Sequence, residues 1–351
     1  MHIDYFLEKT VLSEASDLHV CVGVPPVIRI HGELRYLDEP TLSIDDCKEL
    51  AMQCVPKELF EDFLEKGQVD FSYQLRDLAR FRVNAFRQRG SFAIAFRPIA
   101  TVIPKIEDLG LPKVTYDLAE KQRGLILLTG PTGHGKSTTM AAMLNHINQQ
   151  RREHIITVED PVEYMFSHNK SIIVQREVGM DTDSFHGSLR AILREDPDVI
   201  MIGEMRDTET MQIALTAAET GHLVFSTLHT SGAAKSIDRI IDSFPPHHQN
   251  QVRTQLSTVL AAIISQQLMM NIDNNGRVLA TEVMVWTPAI ANLIRESRIH
   301  QINSHIQSGM KYQMHSMDAC LADLYKEKKI DFQTAYQYAF DQDNFKKLLQ
   351  I

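Results

Sequence analysis

The sequence predicts an α/β protein with two domains, a small α+β domain followed by a larger core around a mainly parallel sheet. In the first hundred residues, apolar and polar side chains alternate in short segments, as in strands with one buried face. From about Lys113, short apolar runs alternate with helical stretches, which is typical of a parallel sheet covered by helices. A segment rich in proline and charged residues separates these two sequence patterns. We therefore predict a first domain at 1–98, a linker at 99–112 and a core at 113–351.

The composition is that of a globular protein, with 44% hydrophobic and 23% charged residues. A formal net charge of -9 is unlike that of a dedicated nucleic-acid binder, which usually has a basic surface. The four cysteines form no CxxC pair, so neither a zinc site nor a disulfide framework is expected. The N-terminus lacks a signal-peptide pattern, and the longest apolar stretch, 256–270, is too polar to span a bilayer. We expect a soluble protein without direct membrane insertion and without a nucleic-acid partner.

The first domain is predicted to contain a helical segment over residues 45–66, ended by Gly67, and then a β-hairpin. Alternation along the hairpin places Arg80, Arg82 and Arg97 on one polar face. Guanidinium groups suit phosphate recognition, although exposed arginines are more often only solvated surface. From these residues alone, the solvated alternative is favoured.

The core is predicted to contain four short buried strands and two amphipathic helices, followed by a mostly helical tail. The strands are 125–128, 155–158, 199–202 and 223–225. The apolar helix faces are Met140, Met143, Leu144 and Ile147, and then Met211, Ala214, Leu215 and Ala218. The tail begins with Thr287 as N-cap and Pro288 as first helical residue.

The strongest motif follows the first of these strands and matches GxxxxGK[ST]. It reads Gly130-Pro131-Thr132-Gly133-His134-Gly135-Lys136-Ser137 and is followed by Thr138. Backbone N–H groups of such a loop cradle phosphates, and the next helix adds its positive N-terminal dipole. Lys136 is expected to reach the β- and γ-phosphates of ATP, and Ser137 to ligate Mg²⁺. The strand before the loop and the amphipathic helix after it argue against a fortuitous glycine turn.

Two further strands end in acidic residues, at the sheet edge where parallel sheets bind their ligands. Glu204 follows the third predicted strand, whereas Asp198 precedes it and lies roughly 20 Å away. Glu204 is therefore predicted to polarise the attacking water. Glu159 and Glu163 follow the second predicted strand and could hold the hydrated Mg²⁺ or organise the site, with a surface acid cluster as the alternative.

Two histidines, His222 and His229, flank the fourth predicted strand. Their spacing places them at opposite ends of the strand and on opposite faces, so a shared metal is not expected. His229 lies at the carboxyl end with Thr227 and Thr230 nearby, and it is the better candidate for sensing the γ-phosphate. Both histidines are candidate catalytic residues, although a lone histidine is more often structural.

Taken together, these motifs resemble those of the PilT family, the type IV pilus retraction ATPases, over nearly the whole chain. The matching segments are 16–19 with 25–26, 80–84, the Asp box at 159–163, the Walker B block at 193–198 and 203–207, and the His box at 220–222 and 227–230. The resemblance implies a PAS-like N-terminal α+β domain, a RecA-like P-loop ATPase core and a helical C-terminal region. It also implies a ring of six subunits, with nucleotide between the two domains and Arg80, Arg82 and Arg97 reaching it.

The resemblance further implies where the protein works and with which partners. Members of the family are cytoplasmic motors that act through the pilus machinery at the cytoplasmic face of the inner membrane. The implied partners are a PilC-like platform protein of that membrane and, as a further candidate, a PilU-like paralogue. The expected cofactors are ATP and Mg²⁺, and the expected outcome is pilus disassembly and twitching motility.

Two positions differ from the pattern of the family. His134 stands where the phosphate loop usually has serine, and we expect nucleotide binding to survive because neighbouring residues supply the phosphate contacts. Segment 289–296 matches the AIRNLIRE motif, but Ala291 replaces its arginine. Helical spacing places Ala291 about 100° from Ile290 around the helix, so we expect it to be exposed and to alter a contact with a partner.

Four other functions share part of this pattern. PilB-like or GspE-like extension and secretion ATPases have the same core but are usually longer, and many carry a tetracysteine metal site. A PilU-like accessory retraction ATPase has the same overall plan. A DNA-translocating RecA-type motor is disfavoured by the acidic composition. A nucleotide-binding switch or scaffold that does not hydrolyse ATP is disfavoured by the intact Lys136 and Glu204.

Overall fold

The computed structural model describes residues 2–30, 32–76, 78–99 and 102–350, and the chain divides into two compact units. The first unit comprises Met1–Val102 together with Pro161–Met165 and Gly179–Asp181. The second comprises Ile103–Asp160, Phe166–Val178 and Thr182–Ile351. The linker predicted at 99–112 includes the change of unit after Val102, and its residues 100 and 101 lie outside the described residues.

The described part of the first unit forms a six-stranded antiparallel sheet with the order β3-β2-β1-β6-β5-β4. Its strands are β1 (Asp17–Val20), β2 (Val27–Ile30), β3 (Glu33–Tyr36), β4 (Gln68–Leu75), β5 (Ala79–Gln88) and β6 (Ser91–Pro98). Its helices are α1 (Ile3–Leu12), α2 (Ile44–Cys54) and α3 (Lys57–Lys66). Apolar residues of the helices and of alternate sheet positions form one core, which includes the fully buried Phe6, Phe63, Phe81 and Phe96.

The helical segment predicted over residues 45–66 is two helices, so the single-segment prediction was wrong. Val55 and Pro56 separate them. Val55 is extended because the proline ring disfavours helical geometry in the residue before it. Gly67 then ends α3 in the left-handed conformation, as predicted.

Within residues 102–350 the second unit forms a seven-stranded sheet with the order β13-β12-β7-β11-β10-β8-β9. Its strands are β7 (Gly124–Thr129), β8 (His154–Glu159), β9 (Ile172–Glu177), β10 (Val199–Ile202), β11 (Leu223–Leu228), β12 (Leu260–Met270) and β13 (Arg277–Val285). Neighbouring strands are parallel except for β13, which is antiparallel to β12. The predicted strands correspond to β7, β8, β10 and β11, and the mainly parallel sheet is confirmed.

Helices cover both faces of this sheet. They are α4 (Val114–Ala119), α5 (Lys136–Gln150), α6 (Phe185–Ile192), α7 (Thr208–Glu219), α8 (Ala233–Asp242), α9 (Pro246–Val259), α10 (Pro288–Arg295), α11 (Ile302–Gln307), α12 (Met317–Lys326), α13 (Phe332–Tyr338) and α14 (Gln342–Leu349). Leu125 and Leu127 of β7 enter one apolar core and Ile126 and Leu128 the other, as expected for a strand buried on both sides. The predicted apolar faces of α5 and α7 are buried. None of the helices in the described ranges has the length and apolar character needed to cross a membrane.

Strand β12 continues beyond the end of its neighbour β7. The last residue of β7, Thr129, lies opposite Ser265, whereas β12 runs on to Met270 while still paired with β13. Residues 266–270 therefore lie beside the loop that follows β7, and we call them the overhang of β12. The backbone of the overhang therefore lies alongside that loop.

Position 291 is buried, so the expectation that it is exposed was wrong. Ala291 is only 2% exposed in α10, and its neighbours Ile290 and Ile294 are fully buried. Helix α10 packs against α9 and also against α11 and the short 3₁₀ turn Ile299–Gln301, so more than one of its sides is covered. The N-cap is as predicted, because the Thr287 side chain accepts a hydrogen bond from the N–H of Ile290.

We expect Ala291→Arg to lower the free energy of unfolding by about 1–3 kcal/mol, because a long charged side chain must enter a packed helix interface. Asn292, the next residue of the same helix, is exposed, and Asn292→Arg should change stability by less than about 0.5 kcal/mol. Urea denaturation of both variants measures the difference. Equal stability of the two variants would contradict the burial of position 291.

Candidate active site

The phosphate loop lies between buried β7 and α5. Gly130 leaves β7 with a φ of 137°, and a Cβ there would be 2.3 Å from the carbonyl oxygen of Gln266 in the overhang of β12. A side chain at this position is therefore excluded both by conformation and by space. Gly135 in the left-handed conformation is the N-cap of α5, which begins at Lys136. The first turn of α5 thus directs its N–H groups into the loop, an arrangement that suits anion binding.

Lys136 lies inside the loop rather than on its surface. The residue is only 7% exposed, and its ammonium donates hydrogen bonds of 2.8 Å to the carbonyl oxygens of Gly130 and Pro131. These contacts fix a positive charge at the centre of the loop. Ser137 and Thr138 follow in the first turn of α5 and are half-buried.

A chain of hydrogen bonds joins the loop to the predicted water-polarising carboxylate. The Nε2 atom of His229 lies 3.1 Å from Oε2 of Glu204, and its Nδ1 atom lies 3.3 Å from the hydroxyl of Thr132. A carboxylate oxygen only accepts, so His229 donates from Nε2, and in the neutral ring Nδ1 then accepts from Thr132. His229 therefore connects Glu204 with the phosphate loop, which suits a residue that senses a terminal phosphate.

Arg206 is a residue of this site that the sequence reasoning did not assign. Its guanidinium forms an ion pair with Oε1 of Glu204, so both carboxylate oxygens of Glu204 have a partner. The hydrogen bond to Glu204 raises the pKa of Arg206. The sequence signal available was the position of an arginine two residues after the candidate acid. The loop conformation that joins the two side chains is not apparent from that spacing.

The carboxylate of Glu159 lies at the carboxyl end of β8 and is only 5% exposed. The hydroxyl of Thr157 and the side-chain amide of Gln175 both donate to its Oε1 atom, at 2.6 and 3.1 Å. Asp198, by contrast, lies at the amino end of β10, where its carboxylate accepts from the N–H of His154. The two ends of the strands are therefore occupied as predicted, with Glu159 and Glu204 at the carboxyl edge.

The structure does not bring His222 to this site. It precedes β11 at the end where Leu223 pairs with Gly124, the first residue of β7, so it lies at the edge opposite the phosphate loop. Six strand residues separate the two edges, a distance of roughly 20 Å. The Nδ1 atom of His222 lies 2.8 Å from the carbonyl oxygen of Ala217, near the C-terminus of α7.

The remaining predicted site residues belong to the first unit. Arg82 and Arg97 are directly opposite each other in β5 and β6, and Arg80 lies two residues from Arg82, so the predicted arginine face is present. Arg97 donates to Oδ1 of Asp17 in the neighbouring strand β1, from Nε at 2.9 Å and from Nη2 at 2.7 Å. Glu163 belongs to the segment Pro161–Met165, which is also part of the first unit.

Comparison with known proteins identifies relatives along nearly the whole chain. The family model described as type II/IV secretion system protein matches residues 65–337. The type IV pilus retraction ATPase PilT of Pseudomonas aeruginosa is 45% identical over 345 residues, which cover 98% of this chain and 100% of the relative. The type IV pilus ATPase PilU of the same organism is 38% identical over 351 residues, covering 100% of this chain and 92% of the relative.

The fold has a matching solved structure. A crystal structure of the pilus retraction motor PilT with bound ADP has a TM-score of 0.92 and 47% sequence identity, with 99% of each chain covered. The resemblance that the sequence motifs predicted is therefore confirmed, as is the fold class of an N-terminal α+β domain followed by a RecA-like ATPase core.

Proposed function

Because the chain belongs to the type II/IV secretion system protein family, we propose that it is an ATPase motor that retracts a type IV pilus and supports twitching motility. The observation that carries the proposal is the hydrogen-bonded link from the phosphate loop through His229 to Glu204. It occurs in a chain that is 45% identical to a retraction ATPase over 98% of its length. The link joins a nucleotide-binding element to a general base, the two parts that hydrolysis of ATP needs.

In the proposed reaction, ATP and water give ADP and phosphate. The loop N–H groups and the ammonium of Lys136 bind the phosphate oxygens, so that negative charge in the transition state meets fixed positive charge. Glu204 orients the attacking water and accepts its proton. His229 holds the Glu204 carboxylate towards the loop, and we propose that it responds to the presence of the γ-phosphate through Thr132.

The residues present fit a magnesium ion bound with the nucleotide. The Ser137 hydroxyl and the Glu159 carboxylate are oxygen donors, which Mg²⁺ prefers. The hydroxyl of Thr157 and the side-chain amide of Gln175 donate to Oε1 of Glu159 and fix the orientation of the carboxylate. When bound, Mg²⁺ would neutralise charge on the β- and γ-phosphates. We propose Ser137 and Glu159, directly or through water, as its protein ligands.

We further propose that the motor is a homohexamer at the cytoplasmic face of the inner membrane. In this assembly Arg80, Arg82, Arg97 and Glu163 contribute to the nucleotide site, and a PilC-like platform protein is the partner that receives the motion. The support is the similarity to the retraction motor over 99% of both chains together with the arginine face of β5 and β6. Arg97 is oriented by its two hydrogen bonds to Asp17 and so presents a fixed guanidinium.

A second candidate function is that of a PilU-like accessory retraction ATPase. The observation in its favour is the 38% identity to PilU over 351 residues. The identity to PilT is higher, at 45%, and the solved PilT structure covers 99% of this chain. We therefore place the main retraction motor first and the accessory motor second.

Deletion of the gene tests the proposal in cells. We expect surplus surface pili and lost twitching, because pili still extend but are no longer withdrawn. Wild-type protein supplied in trans should restore twitching, whereas the Lys136→Ala variant should not. Cells without pili would instead indicate an extension motor, and cells with normal twitching that lose only retraction against load would indicate the accessory role.

A further inference from the structure

We propose that His134 is a positioning residue that anchors the phosphate loop to the overhang of β12 by accepting a hydrogen bond from the backbone of Leu268. This inference rests on the proposed function, since the loop is the nucleotide site. It assigns a role to a loop residue that has none in the proposed reaction. It also makes nucleotide affinity dependent on the charge state of one imidazole.

The anchor is available because of the unequal length of two neighbouring strands. Strand β7 ends at Thr129, opposite Ser265, and the overhang of β12 has no β7 residue beside it. The N–H of Leu268 in this overhang donates to Nδ1 of His134 at 3.0 Å. A donor that would otherwise need water at the strand edge is thereby satisfied by the phosphate loop itself.

Other contacts hold the same loop against β12 and its antiparallel neighbour β13. Gly130 lies so close to the Gln266 carbonyl oxygen that no Cβ fits, and a Cβ on Gly135 would be 3.2 Å from the Leu268 side chain. Arg277 of β13 donates to the carbonyl oxygen of Gly133 at 3.3 Å. His134 therefore adds a directional side-chain bond in the middle of a loop whose two ends already pack against β12.

The hydrogen bond requires the uncharged imidazole. A backbone N–H can only donate, so Nδ1 of His134 must be unprotonated and the ring hydrogen must be on Nε2. Burial lowers the pKa of His134, and the positive charges of Lys136 in α5 and Arg277 in β13 lower it further. The anchored form is therefore present at and above neutral pH and is lost as the pH falls through the lowered pKa. In the protonated ring Nδ1 also carries a hydrogen, so it and the N–H of Leu268 would both be donors and the hydrogen bond would be lost.

Two substitutions separate the acceptor from the ring. In His134→Asn the Oδ1 atom stands the same number of bonds from the backbone as Nδ1 and accepts without titrating near neutral pH. His134→Ala removes the acceptor. At pH 7.5 we expect ADP to bind about tenfold more weakly to the alanine variant, the effect of one lost hydrogen bond, and asparagine to restore at least half of that loss on a logarithmic scale. Calorimetric titration with ADP measures both.

The pH profile provides the second measurement. As the pH is lowered from 7.5 to below the lowered pKa of His134, affinity for ADP should fall more steeply in wild type than in His134→Asn, while ionisation of ADP itself is common to both. If alanine binds ADP as tightly as wild type, or if asparagine is as weak as alanine, the anchor is refuted. Parallel pH profiles of wild type and His134→Asn would refute the dependence on imidazole charge. This comparison does not need the alanine variant, so it holds even if that variant is too unstable to assay. Wild type that binds no ADP would instead refute the proposed function.

Discussion

Replacing Lys136 with alanine is expected to abolish tight nucleotide binding. The ammonium lies inside the loop, bonded to the carbonyl oxygens of Gly130 and Pro131, in a residue only 7% exposed. Its loss removes the central charge that we propose faces the phosphates, and a charge-assisted contact of this kind contributes about 3 kcal/mol, or at least a hundredfold in affinity. Calorimetry with ATP and ADP measures the loss.

The matched control is Lys235→Ala, which removes an exposed lysine at the start of α8 and should leave affinity within about twofold. Thermal unfolding without nucleotide should show that the Lys136 variant is folded. A folded Lys136→Ala protein with wild-type affinity would show that the loop does not bind phosphate as proposed.

Glu204→Gln should slow hydrolysis by about 10²- to 10⁴-fold while nucleotide affinity changes little, because a general base contributes to the transition state rather than to binding. Glutamine has the same length and can still accept from His229, but it cannot take the proton of the attacking water. Steady-state phosphate release under saturating ATP measures turnover, and calorimetry measures binding in the same preparation.

Glu209→Gln is the control for this change. Glu209 is an exposed acid in the first turn of α7, paired with Arg190, and its neutralisation should leave turnover within about twofold of wild type. A Glu204→Gln enzyme that hydrolyses ATP at the wild-type rate would remove Glu204 from the proposed mechanism. A parallel loss of affinity and turnover would indicate that Glu204 supports the loop instead of the chemistry.

The parts of the site that could be predicted from sequence are those in which structure follows from neighbouring residues. The loop 130–137 lies between a buried strand and a helix because its glycines permit the turn and the flanking periodicities are clear. Asp198 and Glu204 were assigned to opposite ends of a strand from its length alone, and the structure agrees. These inferences needed only strand geometry and the rule that parallel sheets bind ligands at one edge.

The parts that could not be predicted depend on contacts between distant segments. The hydrogen bond from Leu268 to His134 joins residues 134 positions apart, and it exists only because β12 extends beyond the end of β7. The sequence shows residues 256–270 as one apolar stretch, which gives neither the strand register nor the end of α9. Ala291 was misassigned for the same reason, since helical periodicity describes one buried face and not the second layer that α11 adds.

The division of the chain into units has a consequence for dissecting the protein into fragments. Segments Pro161–Met165 and Gly179–Asp181 belong to the first unit although they lie far beyond its main span. A fragment that stops at Val102 would therefore lack two of the pieces that complete it, and a fragment that starts at Ile103 would carry those pieces without the body to which they belong. Genetic complementation between two halves cut at the linker would thus begin from two incomplete bodies. The uncut chain, which contains both short segments, preserves each unit intact.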